Sequence, residues 1–262
     1  MKDLKTVVIV ISAFVVYYIL NQLGFAWLFK TFYAAWNEKI SSFLLAYLLC
    51  GSPIFVATYW LHRRNFFEAL GLKSHFLHAF AAAFVFSLPM LVGYAATLSF
   101  QSDISFWDIS KGAVFAGLFE ELYFRAFFFG LLFRYTRLGF IPSILAGAVV
   151  FASLHLYQSN ESPQLTGIFI TTFLGAGFFA WVYSEWKYNL WVPIWLHLLM
   201  NLYWMLFEAG ENALGPIQSN VFRAATIAFT ILATIWLKRK RSEGMAVNRH
   251  NIWMKTIEAK ES

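Results

Sequence analysis

The sequence predicts an all-α, polytopic membrane protein of about eight transmembrane helices, with a polar site in the interior of the helix bundle. Hydrophobic residues make up 60% of the 262 residues and aromatic residues 20%, a larger apolar share than soluble domains have. Several windows of about 20 residues contain few charges, which is long enough to cross a hydrocarbon layer of about 30 Å as a helix. A charged cluster nevertheless lies inside one apolar window, and this cluster predicts the polar site.

Polar or turn-forming breaks divide the chain into eight apolar windows, and each window is interpreted as one span. The predicted spans are residues 7–29, 40–62, 76–99, 111–133, 141–157, 165–186, 190–208 and 217–237. The first is interpreted as an uncleaved span rather than a signal peptide, because its apolar character continues to Phe29 and no small-residue cleavage site follows.

The formal net charge of +6 is concentrated beside the predicted spans. With eight spans and a cytoplasmic N-terminus, the basic groups at 63–64, 134–137, 187 and 238–241 all fall on the cytoplasmic side. The acidic residues Asp103, Asp108, Glu161, Glu208 and Glu211 then lie on the other side. This alternation predicts that both termini are cytoplasmic and that the basic loops contact anionic lipids rather than nucleic acid.

We expect a single folded domain with three parts. Residues 1–100 form the first three spans, residues 101–241 form a core of spans four to eight, and residues 242–262 form a polar cytoplasmic tail. The single cysteine, Cys50, excludes an internal disulfide and a cysteine-based metal cluster.

Three charged residues lie within the apolar stretch 113–133, where one charge at bilayer depth costs roughly 2.5 kcal/mol or more. At α-helical spacing Glu121 and Arg125 lie one turn apart on nearly the same face, which predicts an ion pair. Glu120 points about 100° away and has no cationic partner on its own helix. Glu120 is therefore the candidate general base or acid, while the alternative is a structural ion-pair network.

Two other predicted spans contribute histidines. Phe151 and His155 are four residues apart in the fifth span, and His197 and Asn201 are four apart in the seventh. A lone histidine in an apolar helix is usually a hydrogen-bonded interior residue, but two on different helices beside a carboxylate cluster are hard to explain by packing. The expected chemistry is hydrolysis, in which Glu120 and His155 deprotonate a water while His197 and Asn201 donate hydrogen bonds to an oxyanion.

A metal-dependent site is the alternative form of this chemistry. Glu120, His155 and His197 offer one carboxylate and two imidazoles, a set that suits a divalent metal such as zinc with an open water position. The residues alone do not decide between metal-free hydrolysis and metal-dependent hydrolysis. Motifs of zinc proteases, serine hydrolases, nucleotide-binding loops and dinucleotide-binding folds are absent from the sequence.

Three segments, in this order and on separate predicted spans, resemble the signature motifs of the CAAX protease and bacteriocin-processing (CPBP) family, which includes the type II CAAX prenyl endopeptidases. They are Glu120-Glu121-Leu122-Tyr123-Phe124-Arg125 (EExxxR), Phe151-Ala152-Ser153-Leu154-His155 (FxxxH) and His197-Leu198-Leu199-Met200-Asn201 (HxxxN). The resemblance covers roughly residues 105–207. It implies an eight-helix intramembrane endopeptidase in which Glu120 activates the water. The other candidate catalytic residues are then Glu121, Arg125, His155, His197 and Asn201.

The predicted function is hydrolysis of a peptide bond in a membrane-associated or lipidated protein or peptide, in the cytoplasmic membrane of a bacterium. An ion-coupled transporter is one alternative, because buried Glu, His and Arg also mark ion pathways. However, Pro89 and Pro193 do not stand in matched positions of two halves, as repeats in transporters would require. A non-catalytic scaffold or immunity protein of the same fold is the other alternative.

The motif positions also predict the length of the fifth helix. At about 1.5 Å per residue, Glu120 and His197 fall near the middle of the bilayer, whereas His155 falls roughly 10 Å away at the outer end of a short span. We therefore expect the fifth helix to continue through Gln158 toward Glu161. A helix that ends before His155 would refute this expectation.

Overall fold

The computed structural model describes residues 2–255, and the chain is all-helical as the sequence predicts. Helices account for 78% of the structure. Within residues 2–255 no strand is formed, and the only β-type pairing is an isolated antiparallel bridge between Leu138 and Met254.

The helices follow one another with short connections. They are α1 (Lys2–Trp36), α2 (Lys39–Cys50), α3 (Ser52–His62), α4 (Phe66–Ala69), α5 (Phe76–Thr97), α6 (Phe106–Ile109), a π-helix (Ser110–Phe129), α7 (Gly130–Tyr135), α8 (Phe140–Ser153), α9 (Ser162–Glu185), α10 (Trp191–Leu206) and α11 (Ile217–Lys240). Two single 3₁₀ turns lie at Arg63–Asn65 and Leu156–Gln158.

Five segments of the described chain are long and apolar enough to cross a membrane, which makes this a multi-pass membrane protein. They are Asp3–Trp36, Phe76–Thr97, Phe140–Gln158, Ser162–Glu185 and Ile217–Lys240. The bent pair α2 and α3 makes a sixth if it is counted as one span. The predicted count of eight is not confirmed, because the π-helix with its charged residues and the 16-residue α10 do not belong to this set.

The bend of 51° between α2 and α3 lies at Gly51. Pro53 is in the first turn of α3, where its missing N–H removes no helical hydrogen bond. The Tyr123 hydroxyl donates to the Tyr47 carbonyl over 2.8 Å, and a Cβ on Gly51 would meet the Tyr123 Oη at 2.1 Å. The bend therefore packs directly against the π-helix.

The helix that contains the charged cluster is a π-helix, and the prediction of α-helical geometry for it is wrong. Its last turn is closed by the Gly130 N–H, which donates to the Arg125 carbonyl five residues earlier. π-Helical turns are rare and occur frequently at functional sites. The wider turn changes the directions in which neighbouring side chains point, so the α-helical estimate of 100° between Glu120 and Glu121 does not apply.

The α-helix of the fifth predicted span, α8, ends at Ser153, so the expected α-helix through His155 toward Glu161 is wrong, although the span reaches Gln158 through a 3₁₀ turn. The physical reason lies at His155. Its ring Nδ1 bonds to the Phe151 carbonyl over 2.7 Å, the acceptor that the backbone N–H of His155 would use in an α-helix. That N–H donates instead to Ala152, and a 3₁₀ turn follows.

Helix α10 packs against α5 on one side and against the π-helix on the other. At the second contact a Cβ on Gly117 would lie 3.0 Å from the Leu198 backbone nitrogen, so the two backbones approach closely. Phenylalanines of the π-helix form a second packed layer with α1, in which the rings of Phe14 and Phe128 are 4.4 Å apart. The π-helix is thus enclosed by the bundle.

The two ends of the bundle carry different sets of charged residues, with Lys39 as an exception at the second end, where its Nζ is 5.9 Å from the Trp107 ring centroid. At one end Arg137 forms an ion pair with Asp3 of α1, and the basic C-terminus of α11 lies at the same end. At the other end the backbone N–H of Gln101 donates to the Leu206 carbonyl. The part of the chain that includes Asp103, Asp108 and Glu208 lies around that second contact.

Residues 242–255, here called the C-terminal segment, pack against the first of these ends. The N–H groups of Gly139, Phe140 and Ile141 at the start of α8 donate to carbonyls of this segment. These are N–H groups that a helix leaves without an internal partner. The rest of the predicted tail, residues 256–262, lies outside the described residues.

Candidate functional site

Glu121 is at the centre of a buried polar cluster. Its Oε2 is 3.3 Å from the Arg125 Nε, which confirms the predicted one-turn ion pair, and both side chains are fully buried. Its Oε1 is 2.8 Å from the Nδ1 of His197 on α10. Glu121 therefore joins a cation on its own helix to an imidazole on the neighbouring helix.

Glu120 also reaches His197. Its Oε2 is 3.8 Å from the His197 Nε2, within ion-pair range when the imidazole is protonated. The two consecutive carboxylates thus flank one imidazole, which a π-helix permits although they are adjacent in sequence. Glu120 differs from its neighbour in being 25% exposed.

Asn201 lies one turn beyond His197 on α10, as the spacing predicts. Its Nδ2 donates to the Gly112 carbonyl over 3.0 Å, near the beginning of the π-helix. This bond uses one of the two N–H groups of the amide. Asn201 therefore links α10 to the π-helix and keeps a second donor.

His155 is half-buried at the end of α8 and is joined to the cluster through Phe151. The centroids of these two rings are 4.6 Å apart, and the Phe151 ring centroid is 4.3 Å from the Arg125 Cζ. Because a carbonyl only accepts, the His155 Nδ1 carries the hydrogen, and the neutral ring has its free electron pair at Nε2. Within the described residues, His155 makes no direct hydrogen bond or ion pair with Glu120 or His197.

The described residues do not present a preformed metal site. In residues 2–255 no group of three or more His, Cys, Asp or Glu side chains is placed to bind a metal ion. Glu120, His155 and His197, the zinc ligand set considered from the sequence, do not converge on one point. The Nδ1 atoms of both histidines are bonded within the protein, one to a carbonyl and the other to Glu121, which leaves Nε2 as the remaining nitrogen of each ring.

The surroundings of Arg125 are aromatic. Its Cζ lies 4.3 Å from the Phe151 ring centroid and 5.7 Å from that of Phe179 on α9. Its three guanidinium nitrogens and the Glu121 Oε2 have no hydrogen-bond partner among the described residues. Sequence reasoning missed Phe179, because one phenylalanine among thirty on an apolar helix is not distinguished by its neighbours.

Comparison with known families agrees with the motifs. The family model described as type II CAAX prenyl endopeptidase Rce1-like matches residues 102–203, close to the region 105–207 of the predicted resemblance. No curated protein and no solved structure gave a match to the chain. The matched region includes the π-helix, α8, α9 and most of α10, and therefore all three motifs.

Proposed function

Because residues 102–203 match the Rce1-like family, a family of proteases, we propose that the protein is an intramembrane endopeptidase. It hydrolyses a peptide bond of a membrane-associated or lipidated protein or peptide. The observation that carries the proposal is that two carboxylates from one turn of the buried π-helix flank His197 of α10. Bulk water is absent from the interior of a membrane, so polar groups of the protein must supply the hydrogen bonds that hold a reacting water there.

Glu120 is the general base of this reaction. It is the one carboxylate of the cluster that is partly exposed, so a water can approach it. The water oxygen attacks the carbonyl carbon of the substrate while its proton moves to Glu120. When the C–N bond breaks, Glu120 returns this proton to the leaving nitrogen.

His155 positions the attacking water from a second side. The bond from its Nδ1–H to the Phe151 carbonyl orients the ring, and the free electron pair at Nε2 accepts a hydrogen bond from the water. Since His155 and Glu120 do not bond directly, one water that contacts both would complete the arrangement. Two acceptors on one water restrict it to the orientation needed for attack.

His197 and Asn201 stabilise the negative charge that develops on the substrate oxygen. A protonated His197 donates one N–H to Glu121 and has the other available at Nε2. The second N–H of the Asn201 amide is the other donor. Arg125 acts through Glu121, because its positive charge stabilises the carboxylate that orients His197.

Replacement of Glu120 by Gln in the purified, full chain tests the proposal. Cleavage of a lipidated reporter peptide in detergent should fall by about 10²-fold or more, because the base is lost while the hydrogen-bonding shape is preserved. Glu161→Gln, in the exposed loop before α9, is the matched control and should cleave like the parent protein. Full activity of Glu120→Gln would exclude Glu120 as the base, and Glu120-dependent uptake of solutes by proteoliposomes without cleavage would identify a transporter.

A chelator tests whether the reaction is metal-free. The ligand set does not converge, so activity should survive dialysis against a strong chelator of divalent cations. Activity that is lost on dialysis and restored by zinc would contradict this mechanism.

The end of the bundle with the basic clusters faces the cytoplasm in this proposal. Both described termini lie there, and positively charged residues beside spans remain on the cytoplasmic side. A reporter enzyme that is active only outside the cytoplasm, fused after Ser262, should be inactive.

A further inference from the structure

Phe179 of α9 contacts two members of the cluster, His197 and Arg125, with one ring. Its ring stacks on the His197 imidazole, with centroids 4.9 Å apart and an angle of 19° between the planes. The same ring lies 5.7 Å from the Arg125 Cζ, and Phe179 is only 8% exposed. Helix α9 contains none of the three motifs.

We propose that Phe179 is a positioning residue of the site, an inference that rests on the proposed function for its consequence in the reaction. The bond between His197 Nδ1 and Glu121 fixes one direction of the imidazole but leaves its plane free to tilt. A parallel aromatic ring restricts that plane. The Nε2 atom is then held toward Glu120, where the substrate oxygen must be stabilised.

The same ring contributes to the burial of Arg125. A fully buried guanidinium needs compensation for its lost hydration, and the Glu121 ion pair leaves its Nη atoms without hydrogen-bond partners among the described residues. The aromatic faces of Phe151 and Phe179 supply an electrostatic contact to the cation. Phe179 therefore supports Glu121 through Arg125 as well as His197 directly.

The neighbouring Phe178 shows that contact with His197 and Arg125 is specific to position 179 and is not shared by every phenylalanine on α9. It is the preceding residue, and its ring centroid is 5.2 Å from that of Phe179. Within residues 2–255 it makes no ring contact with His197 or Arg125. A substitution at Phe178 thus removes a phenylalanine ring from the same helix without removing either ring of the Phe179–His197 stack.

Kinetics of the full chain provide the first test. Phe179→Leu removes the aromatic face at similar volume, and we expect kcat to fall about 10- to 100-fold with little change in KM, because the imidazole is misplaced rather than lost. Phe178→Leu should retain kcat within about 2-fold, the size expected for a contact outside the site. Phe179→Tyr should recover most of the rate, since it restores the ring. Phe179→Met is a second non-aromatic variant if the leucine variant does not fold.

Histidine-selective NMR provides a readout that does not depend on cleavage. A stacked ring shifts the ring-proton signals of His197 upfield, and His197→Gln identifies those signals. They should move downfield in Phe179→Leu or Phe179→Met and stay in place in Phe178→Leu. If kcat and these signals are both unchanged in a folded Phe179 variant, the inference is overturned. If the signals move as expected but the parent protein never cleaves a peptide, the stacking stands and the proposed function fails.

Discussion

Two buried carboxylates, Glu121 and Glu185, lie in different parts of the molecule and differ in how completely the protein surrounds them. Glu185 at the end of α9 accepts hydrogen bonds from Lys238 of α11 and from the N–H groups of Ala246 and Val247, each of the latter over 2.9 Å. Glu121 accepts one hydrogen bond, from His197, and its Oε2 has only the ion pair with Arg125.

We interpret Glu185 as a structural carboxylate and Glu121 as part of the proposed active site. A carboxylate with both oxygens hydrogen-bonded by the protein stabilises one packing, here that of α9 and α11 with the C-terminal segment. A buried group with unused hydrogen-bonding capacity is costly and calls for another explanation. In the proposed mechanism, that explanation at Glu121 is the orientation of His197 beside the partly exposed Glu120.

The largest changes in cleavage and in stability should come from neutralising Glu121 and Glu185, respectively. We expect Glu121→Gln to lower cleavage per folded molecule about 10²-fold, because His197 loses its charged partner. It should also lower the free energy of unfolding, because Arg125 is left buried without its partner. We expect Glu185→Gln to lower the free energy of unfolding by about 3 kcal/mol, because Lys238 is left buried without its partner. Cleavage per folded molecule should then remain close to that of the parent protein.

Both variants would be measured for cleavage and for thermal unfolding in the same detergent. If Glu185→Gln lost activity in the folded state as strongly as Glu121→Gln, the division into a structural and a functional carboxylate would be wrong.

A smaller effect is expected where the C-terminal segment meets α8. A Cβ on Gly139 would lie 2.4 Å from the Trp253 carbonyl carbon, so Gly139→Ala must displace the segment from the start of α8. We expect a loss of about 1–3 kcal/mol in the free energy of unfolding. Gly175→Ala on α9, where a Cβ meets no atom within 4 Å, is the matched control and should be neutral or slightly stabilising. Equal unfolding temperatures for the two variants would show that the segment does not stabilise α8.

The smallest effect concerns an exposed ion pair near Glu185. A hydrogen bond from Lys187 lowers the pKa of the Glu243 carboxyl below its ordinary value of 4.5. A lowered pKa contributes stability that is present above pH 4.5 and is lost as the pH falls through the pKa of the folded state. Glu243→Gln should therefore flatten this part of the curve of unfolding temperature against pH. High salt should weaken the same contribution in the parent protein, and a salt-independent curve would contradict the assignment.

Much of the fold could be predicted because apolar windows and polar breaks are local properties of the chain. The eight predicted windows each overlap helical segments, although only five or six qualify as membrane spans. The ion pair between Glu121 and Arg125 was predictable for the same reason, since both residues are on one helix. The order of the three motifs, which indicated the family, is likewise a property of the sequence.

The features that the sequence did not predict depend on individual backbone and side-chain groups, which a pattern of apolar and polar residues does not distinguish. The end of α8 is decided by the His155 ring, which takes a carbonyl from the backbone. The π-helix differs from an α-helix by one residue in each hydrogen-bonded ring, and apolar periodicity is too coarse to show it. The C-terminal segment contacts α8 through backbone groups, which every residue has, so its composition predicted a polar tail without indicating this contact.

The sequence by itself determined that this chain is a helical membrane protein and which three helices contribute acid, imidazole and amide groups, because hydrophobicity and motif order are written along the chain. Only the tertiary structure decided that both glutamates meet the same histidine, that the second histidine lies apart, and that Phe179 stacks on the site. These contacts join side chains of different helices, and the distances between them depend on how the helices pack, which the sequence of one helix does not specify.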